Sequence, residues 1–194
     1  MSPLPQLLYL ILPLVLAGFS NMVWMKLPLL NSLRVPMDKG RNWRDGRRIF
    51  GDNKTWKGFV GMMIVTALWL QIFALIDIWS PNARALSLIP YDQWPQLAWF
   101  YGAVWGLFYV LAELPNSFIK RRLDIRPGGE APGWQGQLFK IVDQADSVIG
   151  CLIGMLFFYV PSPLDALAIL VLATGFHYLT NVLLFLVGLK KQAA

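Results

Sequence analysis

Four stretches of this chain are apolar over lengths at or near the roughly 17 to 25 residues a helix needs to cross a bilayer, and a fifth is shorter. They cover residues 7–24, 58–79, 95–114, 147–160 and 164–189. Nothing else in the sequence restricts the fold as strongly. The runs predict an all-α, polytopic integral membrane protein. It forms one membrane-embedded domain over residues 1–194, with about five transmembrane helices and two long loops, 25–57 and 115–146. Composition agrees, at 56% hydrophobic and 14% charged, where an average soluble chain is about 25% charged. The first run has no basic segment before it and no small-x-small cleavage site after it, so it reads as a span and not as a signal peptide. The fourth must draw length from the turns around Asp143, and Pro161-Ser162-Pro163 closes it in a tight hairpin. Cys151, the sole cysteine, lies inside the fourth run, which excludes an intrachain disulfide.

Charge orients the spans. Residues 26–57 carry nine Lys or Arg, residues 115–140 carry five, and Lys190 and Lys191 follow the last run. The loop at 80–94 carries Arg84 alone. By the positive-inside rule both long loops and the C-terminus face the cytoplasm and the N-terminus lies outside. Two loops in one compartment can build one site. A net charge of +6 would suit nucleic acid, but its cations sit between membrane spans, so membrane lipids and not nucleic acid are the expected surroundings.

Basic loops can serve only to fix topology, and that reading covers the charge count. It leaves other residues unexplained. The first loop contains PMDKGRNWRDGRRIFGDNKTWKGF, where Asp38, Asp45, Asp52, Asn42 and Asn53 interleave with the cations and Gly40, Gly46, Gly51 and Gly58 supply turns. A phosphate-and-metal site needs such a mixture, with cations and amides for phosphate and carboxylates for the metal. GDNKTWKG reads as a turn, then Thr55 as N-cap, then a helix entering the membrane, which favours anions at its start. It lacks the G-x-x-x-x-G-K-[ST] of a Walker loop.

The second loop begins with the triplet Lys120, Arg121 and Arg122 after the third run. Arg offers a planar fork to phosphate and Lys a mobile point charge. Pro127, Gly128, Gly129, Pro132 and Gly133 make its centre a turn-rich connection that returns the chain to Asp143 and Asp146 at the bilayer surface. Their i, i+3 spacing sets both carboxylates on one helix face. One of them is also a plausible helix N-cap. A cap accounts for one aspartate and not readily for both.

Taken in order, IFGDNKTWKG, SFIKRRLDI and DQADSVIG, separated by hydrophobic runs, resemble the CDP-archaeol synthase family. That family is related to the phosphatidate cytidylyltransferases, whose signature pairs S-x-x-K-R with a later D-R-x-D-S. Here these read Ser117-Phe-Ile-Lys120-Arg121 and Asp143-Gln-Ala-Asp146-Ser147, with Gln144 in place of the Arg. The resemblance covers nearly the whole chain. It implies a five-span membrane enzyme that joins CTP and a lipid phosphate into a CDP-lipid and pyrophosphate, with Mg2+.

That chemistry organises the residues. A lipid phosphate is already ionised at neutral pH, so attack on the CTP α-phosphorus needs relief of anion repulsion and alignment more than a strong base. Asp143 and Asp146 are assigned to the metal, with Asp52 as a further candidate, and these two with Lys120 and Arg121 form the expected catalytic set. Arg122, Arg47, Arg48, Lys54 and Lys57 are expected to hold phosphates. Asn53, Thr55 and Ser117 come from the motifs, and Asn21 and Asn181 lie at the same cytoplasmic level. His177 reads first as an interhelical hydrogen-bonding residue, and Glu113, one turn from Asn116, as a group that orients ligand or metal. A second copy of the chain stands as a candidate partner. Rival readings are CDP-diacylglycerol synthesis from phosphatidate, and a non-catalytic scaffold or transporter. CDP-alcohol phosphotransfer is rejected because its D-G-x2-A-R signature is absent.

Overall fold

The computed structural model describes residues 1–129 and 131–188. Lys190, Lys191 and the far end of the run at 164–189 lie outside the described residues. Five long helices carry the architecture: α1 (Leu4–Lys26), α2 (Trp56–Trp79), α4 (Ala98–Arg122), α5 (Gly133–Met155) and α6 (Pro163–Leu186). A short α3 (Pro81–Arg84) follows α2. Each long helix packs on the next around a ring, α1–α2–α4–α5–α6, and α6 closes the ring against α1.

Local chemistry sets the helix starts. The Thr55 hydroxyl accepts from Gly58 N at 3.2 Å and caps α2, as GDNKTWKG predicts. The Ser162 hydroxyl caps α6 by accepting from Asp165 N at 3.1 Å, with Pro163 in the first turn, where a missing N–H costs nothing.

Four of these segments, Leu4–Lys26, Trp56–Trp79, Pro95–Arg122 and Pro163–Leu186, are long and apolar enough to cross a membrane. The sequence reading is corrected at the other one. Only residues 147–155 of the run at 147–160 are helical, and they form the second half of α5, which begins at Gly133 and ends at Met155. Its first half carries Lys140, Asp143 and Asp146, so the helix as a whole does not meet that standard of apolarity. The N-cap of α5 is Pro132. Asp143 is therefore mid-helix, and the capping alternative for it falls. The triplet Lys120–Arg122 likewise forms the last turn of α4 and does not follow it.

Close helix approach comes from a signal that the run-and-charge reading missed. Gly102 and Gly106 form a G-x3-G pair on α4, and Gly150 and Gly154 another on α5. A Cβ at Gly102 would stand 2.5 Å from the Ala67 Cα of α2, and one at Gly106 would stand 2.7 Å from Met62 O. At Gly150 it would run into the Phe108 carbonyl oxygen of α4. Small residues are needed where helix backbones meet in lipid, because packing and not the hydrophobic effect holds them together there. Beside this seam the fully buried Trp105 donates its Nε1–H to Cys151 O at 2.8 Å. We expect Gly150→Val to cost about 1–3 kcal/mol through overpacking. The check is thermal unfolding in detergent, where the variant should melt several degrees below the parent chain.

The two ends of the ring differ. At one end Ser2 N and Oγ donate to Asp165 at 2.7 and 3.0 Å, and Tyr9 OH donates to Asp77 at 2.6 Å. At the other, the loop from Leu27 to Thr55 folds over the helix ends. Asp38, 5% exposed, organises that loop: it accepts from Gly40 N, Phe50 N and Gly51 N and forms a 2.7 Å ion pair with Arg48. Burial opposes its charge, but Arg48 and the three amides outweigh it and hold the carboxyl well below the ordinary range.

Candidate active site

The folded loop roofs a cavity of about 580 Å³ enclosed by the helix ring. Its polar end gathers residues from every long helix and both loops. Lys54, Lys120, Arg121, Arg126 and Lys140 line it together with Glu113, Asp143 and Asp146. Cations thus exceed carboxylates there, which suits a polyanion that brings a metal with it.

The two aspartates converge. Asn116 Nδ2 donates to Asp143 Oδ1 and to Asp146 Oδ2, each at 2.7 Å, so the i, i+3 spacing on α5 does place both carboxylates at one point. Lys120 Nζ donates to Asp143 Oδ1 at 2.6 Å and lies over the Phe139 ring at 5.4 Å. Lys54 Nζ pairs with Glu113 at 2.5 Å, tying the first loop to α4. Burial works against the Lys54 charge, but Glu113, and behind it Asp146 and Asp143, raise its pKa above the ordinary lysine value.

Arg121 is 6% exposed, and its Nε and Nη1 are buried with no hydrogen-bond partner among the described residues. A guanidinium that lines a cavity with unsatisfied donors is ready for a planar oxyanion. A Cβ at Gly51 would lie 3.4 Å from Arg121 Nη1 and 2.7 Å from the Pro127 side chain, so both loops meet above this arginine. Gly51 also has φ +102°, which glycine alone adopts readily.

Of the fifteen residues that the sequence assigns to catalysis, metal or substrate, ten line the cavity: Asp143, Asp146, Lys120, Arg121, Asn53, Lys54, Thr55, Ser117, Asn21 and Asn181; Glu113 and His177 line it as well. Five of the fifteen do not. Arg122 is a latch, with its guanidinium 3.0 Å from Asp45 and donating to Arg47 O and Arg48 O, while its ring partner is Phe118. Arg47 answers by donating to Arg122 O. Arg48 is engaged by Asp38 and by Asp52 at 2.8 Å, and the Asp52 side chain is 72% exposed, away from the aspartate pair. Lys57 is fully buried and donates to Leu27 O and Asn31 Oδ1. None of these four cations lines the cavity, and their contacts fasten the loop that covers it.

Sequence reading gave no role to Arg126, Lys140 or Phe139, and used Asn116 only as a landmark. The signal for Asn116 was available, since it stands one residue before the S-x-x-K-R pattern on the same helix. Gln144, the departure from D-R-x-D-S, accepts from Asn181 at 2.7 Å, and its carbonyl lies 3.2 Å from His177 Nδ1. His177 Nε2 also lies 3.3 Å from Tyr109 OH. These residues tie α4, α5 and α6 beneath the aspartates, which is the interhelical role expected of His177.

The donor set fits a magnesium ion of the kind that binds with a nucleotide. Two carboxylates share one point, and the Asn116 Oδ1 beside them is buried without a partner. Among the described residues no group of three or more His, Cys, Asp or Glu is placed to hold a metal. Magnesium is commonly held by one or two carboxylates, with substrate phosphates and water completing the shell.

Comparison with known proteins identifies the family. Residues 4–193 match the family model described as CarS-like, CDP-archaeol synthase. The CDP-archaeol synthase of Pyrococcus furiosus is 34% identical over 189 residues, covering 95% of each chain. That of Methanospirillum hungatei is 34% identical over 169 residues, covering 81% of this chain and 88% of its own. A solved structure, described as structural insight into an intramembrane enzyme for archaeal membrane lipids biosynthesis, superposes with a TM-score of 0.61. It is 24% identical and covers 90% of this chain and 92% of that one, and it shares the fold.

Proposed function

Because the chain belongs to the CDP-archaeol synthase family, an integral membrane enzyme that transfers CMP from CTP to an ether-lipid phosphate, we propose how its own residues perform that transfer. The observation that carries the reading is the placement of a converging carboxylate pair next to a buried, unpartnered guanidinium, within one cavity that continues into apolar surroundings.

Asp143 and Asp146, with Asn116 Oδ1 beside them, would hold Mg2+. When bound, the ion draws charge from the nucleotide phosphates and from the pyrophosphate that departs. Arg121 and Lys54 would receive phosphate oxygens, and Lys120, which donates to Asp143 Oδ1, lies beside them as a third cation for the phosphates. The lipid phosphate oxygen then attacks the α-phosphorus of CTP. A P–O bond forms to the lipid, the Pα–O–Pβ bond breaks, and pyrophosphate leaves with the electron pair. Positioning and charge stabilisation supply the rate, since the nucleophile is already an anion. Asn53, Ser117, Asn21 and Asn181 surround the head of the site with neutral donors and acceptors.

The loops that build the site are the basic ones, and the positive-inside rule puts them in the cytoplasm with CTP. A reporter fused after Ala194 should therefore be cytoplasmic and one inserted near Asn82 should be outside. The reverse pattern would place the cavity away from nucleotide.

The activity itself is tested by incubating the purified protein with labelled CTP, Mg2+ and a panel of ether- and ester-linked lipid phosphates. Labelled CDP-lipid should form from the ether-linked member only when both substrates and the metal are present. A product confined to ester-linked phosphatidate would move the substrate assignment, and no product with any lipid would overturn it.

A further inference from the structure

Each aspartate of the pair is followed in the chain by a residue that α6 holds. Gln144 follows Asp143, and Ser147 follows Asp146. Gln144 Oε1 accepts from Asn181 Nδ2 at 2.7 Å, and the Gln144 carbonyl oxygen lies 3.2 Å from His177 Nδ1. Ser147 Oγ lies 3.3 Å from the same ring nitrogen. Gln144 and Ser147 are 3% and 0% exposed, so α5 meets these partners inside the helix ring. On the other side of the imidazole, Nε2 lies 3.3 Å from Tyr109 OH of α4. A carbonyl oxygen can only accept, so Nδ1 carries the proton toward Gln144, and in a neutral imidazole Nε2 then accepts from the tyrosine. His177 thus has one defined tautomer, which donates to α5 and is steadied by α4.

We propose that His177, oriented by Tyr109, is a positioning residue that sets the rotation of α5 so that Asp143 and Asp146 meet at one metal ion. The proposal rests on the cytidylyltransferase reading and adds to it what keeps the carboxylate pair converged. Gly150 and Gly154 set how closely α5 approaches α4, and Asn116 holds the carboxylates from that side. Lipid supplies no hydrophobic force to press α5 on α6, so directed hydrogen bonds fix how the helix is turned. Side chains reach about 5–6 Å from a helix axis, so turning α5 by about 20° would shift a carboxylate by about 2 Å. Magnesium takes its oxygens at about 2.0–2.1 Å in a near-ideal octahedron, and a shift of that size would part the two carboxylates from a shared ion. His177 therefore acts through the backbone and side chains of α5.

Two amide replacements separate the two ring nitrogens. Asparagine places an N–H donor near the position of Nδ1, whereas glutamine places one near Nε2. His177→Asn should therefore keep the bond to Gln144, and His177→Gln should keep a contact with Tyr109 and lose the one to α5. Mn2+ binding to the purified protein in the presence of CTP, followed by electron paramagnetic resonance, reads the carboxylate pair without turnover. His177→Gln should weaken that binding by about 3- to 30-fold, the range of one interhelical hydrogen bond in a membrane, and His177→Asn should restore it to within about twofold of the parent. The Mg2+ concentration giving half-maximal CDP-lipid formation should rise by the same factor in His177→Gln, while kcat at saturating Mg2+ stays close to the parent value. Tyr109→Phe removes one hydroxyl and keeps the ring, and by freeing the imidazole to turn it should weaken Mn2+ binding by about threefold. If His177→Gln and Tyr109→Phe melt earlier yet bind Mn2+ as the parent does, His177 is an interhelical tie only and the proposal is overturned. Equal losses in His177→Asn and His177→Gln would also overturn it, because the donor toward α5 would then be immaterial. Failure of the enzymatic reading looks different and takes the proposal with it: the parent chain itself would show no CTP-dependent Mn2+ binding and form no CDP-lipid.

Discussion

Asp146→Asn should keep the helix ring intact and lose turnover by about 100-fold or more, the scale of removing a charge that helps hold a metal at the reacting phosphates. The amide preserves the side chain's shape, and Asn116 can still hydrogen-bond to its oxygen. What disappears is one of the two negative charges that meet at Asn116 Nδ2. Raising Mg2+ should restore part of the rate, because the remaining Asp143 still offers a carboxylate. The measurement is the initial rate of CDP-lipid formation across a Mg2+ series, with thermal unfolding alongside to show that the fold is unchanged. Near-normal rates at every Mg2+ concentration would remove the aspartate pair from the chemistry.

The second large effect is expected at Arg121. Arg121→Lys should cut CDP-lipid synthesis at least tenfold without altering expression or orientation. An ammonium cannot reproduce the two-pronged contact of a guanidinium. Loss of one charged hydrogen bond made in the transition state costs on the order of 2 to 4 kcal/mol, or about 30- to 1,000-fold. Arg122→Lys is the internal comparison. Arg122 contacts Asp45 and the Arg47 and Arg48 carbonyls instead of the cavity, so its replacement should loosen the roof and speed tryptic cleavage in the first loop. Initial rates at saturating CTP, with limited proteolysis of the same preparations, separate the two arginines. Full activity of Arg121→Lys would leave Lys54 and its loop as the phosphate grip.

The membrane class and the long helices were legible because long apolar runs admit few alternatives, and the site motifs were legible because charged residues beside lipid need a reason. Asp143 and Asp146 stood out on both counts. Contacts across the ring were not legible. The sequence cannot tell that Arg121 and Arg122, adjacent and chemically alike, point to different tasks, since that depends on where the last turn of α4 faces once the first loop has folded over it. Lys57 and Arg48 look like phosphate ligands by type, but each is consumed by a protein acceptor that lies more than nine residues away. The start of α5 was missed for a related reason. Its first half is amphipathic and charged, so a search for apolar runs recognises only the second half. The G-x3-G pairs were visible as letters, but only the ring shows which backbones they admit.

The central claim is that Asp143 and Asp146 hold a divalent cation together with the nucleotide. Mn2+ binding to the purified protein, followed by electron paramagnetic resonance with and without CTP, tests it most directly, because it needs neither lipid nor turnover. With two protein carboxylates and no third acidic or imidazole ligand among the described residues, Mn2+ should bind weakly alone and much more tightly once CTP is present. That CTP-dependent gain should vanish in the Asp143→Asn/Asp146→Asn double variant. Unchanged, CTP-enhanced Mn2+ binding in the double variant would contradict the account.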